Sequence, residues 1–345
     1  MKVALGFNLR NDAWGGGNQF ANSLAKFLKL AGHDIVFSLD DRDIDIILLT
    51  DPRSNAPAVS FGAGAIFRYL LTKNRNALVV HRINECDERK NTKNMNYMLR
   101  TANQVADHTV FIASWLKELD VWSRNSPFSI ILNGGDKKIF NDRYYNEWVP
   151  GTPLKVVTHH WGGNIMKGFD VYSYLDTKIR NPIRDILVEF TYIGNIPRKF
   201  KFQNISHIEP LIGDKLARSL SSHHVYITAS LNEPAGMHHI EGAMSGLPLI
   251  YRKSGALPEY CDGFGICFER VDEIPDVIAS MVGQYKNFRA KLRDYPHTSE
   301  KMCTEYLALF ESMYERRDEV LEKRNLFKKK WSILKNQMPS WFFQI

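Results

Sequence analysis

The sequence is poor in several features that mark specialised classes of protein. Its 345 residues include four cysteines, which are scattered without the paired spacing of a zinc site. A membrane-spanning helix needs about 18 consecutive apolar residues, and no stretch of the sequence approaches that length. Polar residues between Asn8 and Asp12 interrupt the first apolar run, so the amino terminus does not read as a signal peptide. We therefore expect a reduced, cytoplasmic protein.

Acidic residues are missing from the last part of the chain. The net charge is +7, and residues 323–345 carry six lysines and arginines without an acid. Those six charges leave +1 for the other 322 residues, so the basic character belongs to the tail. The charge pattern therefore predicts no nucleic-acid partner for the chain as a whole.

The remaining composition is that of an ordinary globular protein, with 44% hydrophobic and 24% charged residues. The length exceeds what one ordinary core holds and suits two domains. We predict one domain over residues 1–145, a second over 154–310, and a basic amphipathic segment over 311–345. Predicted strands alternate with helices in both domains, which is typical of α/β proteins with parallel sheets.

Residues 225–252 form the most informative stretch, where a strand, a loop, a helix and a second strand are predicted in succession. Glu233 lies in the loop, and Glu241 lies one turn inside the helix that begins near Met237. The amino terminus of a helix can hold phosphate, and Gly236 lets a ligand approach the backbone closely. Glu241 can then accept bonds from ribose hydroxyls, while Glu233 reaches a sugar beyond the phosphates. This layout suits a nucleotide sugar.

The same stretch resembles the signature of the retaining glycosyltransferases of family 4. The matching residues are Glu233, Gly236, Glu241, Ala243, Gly246 and Pro248. The resemblance implies the GT-B fold, with two Rossmann-like domains facing across a cleft and a C-terminal helix that crosses back to the N-terminal domain. The N-terminal domain is expected to bind the acceptor, and the C-terminal domain the nucleotide-sugar donor.

Further donor-binding residues follow from this resemblance. Lys167 and Gly168 match the Lys-Gly pair of the family, in which the lysine contacts the donor phosphates. Gly255 and Ala256 would bring backbone amides near the phosphates, as Gly236 and Met237 do at the start of the helix.

One expected residue of the family is absent. The arginine that usually precedes the lysine by five or six residues is replaced by Trp161 and Gly162, with His159 and His160 just before. Three alternatives remain: a histidine such as His160 substitutes for the arginine, the donor is held differently, or activity is weak.

The N-terminal domain carries a second group of candidate residues. Gly15, Gly16 and Gly17 are predicted to precede a helix, although the GxGxxG dinucleotide fingerprint is missing. The resemblance implies that they line the cleft near the donor phosphates and the acceptor. A strand is predicted over residues 77–80, and His81 would follow at its carboxyl end, where the resemblance implies contact with the transferred sugar. Arg82 would contact acceptor or phosphate.

Two Asp-x-Asp triplets occur within residues 40–45. Such triplets hold a metal in the different GT-A fold, but here they lie between two apolar strand runs and are predicted to form a solvated turn. We assign no metal and no cofactor, so Lys167 and helix amides must neutralise the leaving diphosphate.

The predicted reaction is transfer of a sugar from a nucleotide-diphosphate donor to an acceptor hydroxyl with retention, by a hexosyltransferase-type enzyme of polysaccharide or glycoconjugate biosynthesis. The acceptor would be a glycan or a lipid-linked molecule. Two alternatives remain: a sugar-nucleotide epimerase with the same fold, and a non-catalytic nucleotide-sugar-binding scaffold. The sequence does not specify the base, the sugar or the acceptor.

The basic tail has two interpretations. Its residues Phe327, Trp331, Leu334 and Met338 recur at helical spacing with lysines between them. Such a helix either crosses back onto the N-terminal domain or lies on the anionic inner face of a membrane. We expect the crossover for the first part, and peripheral membrane contact is allowed for the Trp341-Phe342-Phe343 end.

Overall fold

The structure is a computed structural model that describes residues 1–9, 15–53, 56–124 and 126–324. These residues form two compact units, one comprising Met1–Asn133 with the described residues from Ser299 onward, the other Gly134–Thr298. The first division falls after Asn133, so residues 134–145, which the sequence prediction assigns to the first domain, belong to the second unit. The tail residues from 325 onward, with their aromatic positions, lie outside the described residues.

Strands and helices alternate along most of the chain. The strands are β1 (Lys2–Leu5), β2 (Asp34–Val36), β3 (Ile46–Leu49), β4 (Leu78–Ile83), β5 (His108–Phe111), β6 (Phe128–Ile130), β7 (Leu154–His160), β8 (Val188–Gly194), β9 (Ser206–Ile208), β10 (Val225–Thr228), β11 (Leu249–Arg252) and β12 (Gly265–Phe268). The α-helices are α1 (Gly15–Leu30), α2 (Ala63–Thr72), α3 (Met95–Ala102), α4 (Phe169–Lys178), α5 (Gly213–Ser221), α6 (His238–Met244), α7 (Leu257–Cys261), α8 (Ile274–Lys291), α9 (Ser299–Glu315) and α10 (Arg317–Lys323).

The first unit is built on a six-stranded parallel sheet in the order β2-β1-β3-β4-β5-β6. One face is covered by α1 and α9, whose apolar side chains pack with those of β1, β3 and β4. The other face packs against α2 and the end of α3. Because helices cover both faces, the central strands read as unbroken apolar runs such as Ile46–Leu49.

Arg324, the last residue that the structure describes, is tied to this first sheet by a buried ion pair. Arg324 follows α10 and binds the carboxylate of Asp107 with two guanidinium nitrogens, and both side chains are less than a tenth exposed. The same guanidinium donates to the backbone carbonyls of Arg75 and Ala77, each at 2.8 Å. The Asp107 carboxylate also accepts from the Val79 amide at 2.8 Å, and these contacts lie at the amino ends of β4 and β5.

The second unit has a six-stranded parallel sheet in the order β12-β11-β10-β7-β8-β9. A core of aromatic and branched side chains packs on it from α4 and α8, including Tyr172, Phe169 and Ile278. The strand predicted at the start of residues 225–252 is confirmed as β10, and α6 begins one residue after Met237, near which the sequence predicts its start. The predicted fold class is therefore confirmed as two Rossmann-like α/β domains.

Three element bounds differ from the sequence prediction. β4 continues through Ile83, so His81 lies inside this strand instead of following it. β7 continues through His160, beyond the end that the sequence predicts at Thr158, so His159 and His160 also lie in a strand. Gly15, Gly16 and Gly17 form the first turn of α1 instead of preceding it. For the two strands, burial in the sheet outweighs the local polar signal, since β4 is buried along its whole length and β7 at all but one residue.

No helix among the described residues is long and apolar enough to cross a membrane.

Candidate functional site

The strand order of the second sheet places its candidate site. The chain runs outward from β7 to β8 and β9 on one side, and from β10 to β11 and β12 on the other, so the order reverses between β7 and β10. In open α/β sheets, ligands bind outside the carboxyl ends of the strands at such a reversal. The loops that leave β7 and β10 at this edge contain Lys167 and Glu233, and α6 with Glu241 follows.

Lys167 and Glu233 form a buried ion pair, although 66 residues separate them. The Lys167 ammonium lies 2.5 Å from Oε2 of Glu233, and both side chains are less than a tenth exposed. Lys167 ends a short 3₁₀ turn, in which the Met166 amide donates a hydrogen bond to the Asn164 side chain. The next residue, Gly168, has φ of +95°, and a Cβ there would lie 2.4 Å from Cβ of Ala229. Glycine is thus required for the close approach of the two loops.

The Glu233 loop is held by its neighbours through backbone contacts. The Ala256 amide donates to the Glu233 carbonyl at 2.9 Å, so in this structure that amide supports the loop. A Cβ on Gly255, whose φ is +58°, would come within 2.5 Å of the Glu233 backbone. A Cβ on Gly236 would lie 2.4 Å from Nδ1 of His238. The predicted donor-binding glycines therefore allow tight packing around Glu233. Met237 is half buried and occupies the position just before α6.

Glu241 is also buried, at 3% exposure, and has one bound and one unbound carboxylate oxygen. Oε2 accepts a hydrogen bond of 2.6 Å from Nε2 of His159. Oε1 has no hydrogen-bond partner among the residues that the structure describes. A buried acceptor of this kind is available to a hydroxyl donor from a ligand.

His160 lies next to this cluster, on the last residue of β7. Its Nε2 bonds the Tyr172 hydroxyl at 2.8 Å, and its Nδ1 has no partner among the described residues. Burial, with the Lys167 charge as a second cause, lowers the pKa of His160 well below its usual value. The imidazole is therefore neutral at physiological pH. The neutral ring can hydrogen-bond a ligand, and its substitution for the missing arginine stays a prediction.

In the first unit, His81 is completely buried in the middle of β4. The Asn103 side-chain amide nitrogen lies 3.1 Å from Nδ1, and the Asn103 oxygen accepts from the Ser123 amide, so the amide donates to the histidine. His81 Nε2 then carries the proton and has no partner among the described residues. Burial lowers the pKa of His81 to about 3. The side chain is thus a neutral hydrogen-bond donor, and its contact with a sugar stays a prediction.

Arg82 points to the opposite face of β4 from His81. Its guanidinium donates to the Asn133 side chain at 2.8 Å and lies 3.9 Å from the ring centre of Phe20. Arg82 is 2% exposed, so it packs between the sheet and α1 in this structure. The predicted roles of Arg82 and of Gly15, Gly16 and Gly17 toward acceptor or phosphate stay predictions.

Sequence reasoning missed a run of packed histidines beside the two glutamates. The ring centres of His160 and His238 are 4.5 Å apart, and those of His238 and His239 are 4.9 Å apart. Two His-His pairs, one ending β7 and one opening α6, were the available signal. No group of three or more His, Cys, Asp or Glu side chains within the described part of the chain is placed to hold a metal ion.

With this geometry established, the fold can be assigned to a class. Two parallel six-stranded sheets with flanking helices correspond to the GT-B fold of glycosyltransferases. No protein-family model matches the sequence, and no curated protein sequence matches it.

Solved structures do match. Starch synthase IV from Arabidopsis thaliana, its catalytic domain bound to ADP and acarbose, has a TM-score of 0.66 at 12% identity and covers 91% of this chain and 99% of its own. HepE from Anabaena in complex with UDP-glucose has a TM-score of 0.63 at 11% identity, and the match covers 90% of this chain and 100% of HepE. Sucrose-phosphate synthase from Thermosynechococcus elongatus has a TM-score of 0.63 at 13% identity, and the match covers 91% of this chain and 99% of the synthase chain. At these identities the likeness establishes the fold.

Proposed function

We propose that this protein is a glycosyltransferase that moves a sugar from a nucleotide-diphosphate donor to an acceptor hydroxyl. The observation that carries the proposal is the convergence of Lys167, Glu233 and Glu241 at the order reversal of the second sheet. The GT-B fold supports it, as do the UDP-glucose and ADP bound to two of the similar structures. A cation and two acids at one site match the phosphates, the sugar hydroxyls and the ribose of such a donor.

Each of the three residues has a distinct role in the proposal. Glu241 accepts from ribose hydroxyls through its unbound oxygen. Lys167 moves from Glu233 to the diphosphate and neutralises the charge that develops on the leaving group. Glu233, released from Lys167, bonds the sugar hydroxyls and stabilises positive charge at the anomeric carbon.

The finer features of the reaction belong to the proposal as well. Retention of the anomeric configuration, a metal-independent mechanism and a hexosyl donor are expected from the resemblance to family 4. So is a glycan or lipid-linked acceptor in polysaccharide or glycoconjugate biosynthesis. The cytoplasmic location, the contact of the tail with a membrane surface and the phosphate at the start of α6 stay predictions.

The proposal is tested by incubating the pure protein with a panel of nucleotide sugars and candidate acceptors. We expect at least one donor to release free nucleoside diphosphate, by transfer or by slow hydrolysis. Altered sugar without nucleotide release would instead identify an epimerase. Donor binding without any turnover would identify a scaffold, the alternative that the missing arginine motivates.

Lys167→Ala tests the phosphate contact. We expect affinity for a nucleoside diphosphate to fall at least tenfold, the scale of a hydrogen bond to a charged group of about 1.5–3 kcal/mol. Affinity for the matching nucleoside should change little, because it has no phosphate for the lysine to bind. Isothermal calorimetry with both ligands measures the difference. Lys199→Ala, in an exposed loop of the same unit, is the control, and equal losses for both ligands would give Lys167 a structural role.

A further inference from the structure

The hydrogen bond between His159 and Glu241 fixes the orientation of the Glu241 carboxylate. Both side chains are buried, at 7% and 3% exposure, and the bond is short at 2.6 Å. A carboxylate only accepts, so Nε2 of His159 donates. The second oxygen of Glu241 is left without a partner among the described residues. The Glu241 carboxylate is therefore held by one of its two oxygens.

Tyr226 holds the side of the His159 ring that faces away from Glu241. The Tyr226 hydroxyl lies 3.1 Å from Nδ1 of His159, and its oxygen accepts from the His159 backbone amide at 3.0 Å. Burial raises the pKa of Tyr226 well above its usual value, so the phenol keeps its proton and can donate it to Nδ1 or to the His159 carbonyl oxygen, which lies 3.3 Å away. In either case Nε2 of His159 carries a proton, because the Glu241 carboxylate that it faces can only accept.

The support of His159 is rigid. The residue lies in β7, where it pairs with Ile193 of β8, and its ring packs edge-on against Tyr226 at a centroid distance of 5.6 Å. Glu241 lies on a different element, the short helix α6. The bond thus fixes a helix side chain to the central strand of the sheet, at the edge where the candidate site lies.

We propose that His159 is a positioning residue, which binds one oxygen of Glu241 and so directs the other to the ribose hydroxyls of a bound nucleotide. The inference rests on the proposed function, since it takes Glu241 as the ribose ligand. His159 touches no part of the nucleotide in this arrangement. It orders an acceptor before the ligand arrives, and pre-ordered groups bind with a smaller loss of conformational entropy. Selectivity for ribose over deoxyribose would therefore depend on a residue that never contacts the sugar.

The experiment measures that selectivity as a ratio of dissociation constants. The probes are UDP, ADP and GDP, each compared with its 2′,3′-dideoxy form, and the tightest-binding base is carried forward. We expect the wild type to bind the dideoxy probe about 10- to 100-fold more weakly, the scale of a hydrogen bond to a charged acceptor. Glu241→Gln should reduce this ratio strongly.

Two amide variants of His159 separate positioning from packing. The His159→Asn side chain reaches the Tyr226 hydroxyl but is too short for Glu241, so the ratio should fall to within about threefold of unity. The His159→Gln amide reaches the position of Nε2 and should restore most of the ratio. His223→Asn is the matched control, because His223 is equally buried but lies at the amino end of β10, bonded to Ser219 and Thr191.

The outcomes assign any failure to one proposal. A wild type that binds none of the probes, or a Glu241→Gln variant with the full ratio, overturns the proposed function and this inference with it. A ratio lost in Glu241→Gln but kept in His159→Asn overturns the role of His159 alone. Thermal melting checks that the variants fold. If His159→Asn does not, His159→Leu, which offers Glu241 no hydrogen bond, replaces it, and an unchanged ratio there contradicts the inference.

Discussion

Replacing Glu233 by glutamine is expected to reduce sugar transfer by on the order of 10²-fold or more, while donor affinity stays within a few-fold of wild type. Glutamine keeps the shape of the side chain and removes the charge that stabilises the transition state. Its effect on donor binding is small for a structural reason. The variant loses bonds to the sugar, but it also frees Lys167 from its ion pair, which favours the diphosphate.

The decisive measurement is single-turnover transfer at saturating donor, with donor affinity determined separately. Glu189→Gln, an exposed carboxylate on β8 of the same unit, is the control and should behave as wild type. A Glu233→Gln variant that transfers at the wild-type rate would show that Glu233 acts only as the counterion of Lys167.

Removing the Arg324 side chain is expected to destabilise the first unit by about 3–5 kcal/mol, because it leaves the Asp107 carboxylate buried without its counterion. The Arg324→Ala variant also loses the hydrogen bonds to Arg75 and Ala77. Since a chain with two units need not unfold in one step, the free energy of opening is best read from hydrogen exchange of β4 and β5 amides.

Two further variants test whether the unpaired Asp107 charge causes the loss of stability in Arg324→Ala. Arg317→Ala removes a nearby arginine whose contact with Asp45 is 3.6 Å long and partly exposed, so it should cost less than about 1 kcal/mol. Adding Asp107→Asn to Arg324→Ala should recover part of the loss, because the amide needs no counterion. A loss as small as that of Arg317→Ala would contradict the prediction.

The parts of the molecule that the sequence predicts well are those with local signals. The strand, loop and helix around Glu233 and Glu241 follow from apolar spacing, a glycine and a proline within a short stretch, and each lies close to its predicted bounds. The two-domain class follows from the same alternation repeated along the chain.

The partners of the site residues have no such local signal. Lys167 with Glu233, and His159 with Glu241, are joined only when distant loops meet at one sheet edge. The sequence also suggests that polar residues end a strand, and so it ends β4 before His81. The structure instead buries His81 within the strand, because Asn103 supplies its hydrogen bond from another element.

The first unit is assembled from both ends of the chain, and this affects the order of events during synthesis. Met302, Tyr306 and Phe310 of α9 cover the same sheet face as α1, yet they leave the ribosome after the entire second unit. At roughly 5–20 residues per second, this delay is on the order of ten seconds or more. Through that interval the nascent sheet lacks part of its apolar cover, whereas the second unit, a continuous segment, can already fold. Of the two units, the first is therefore begun earlier and completed later.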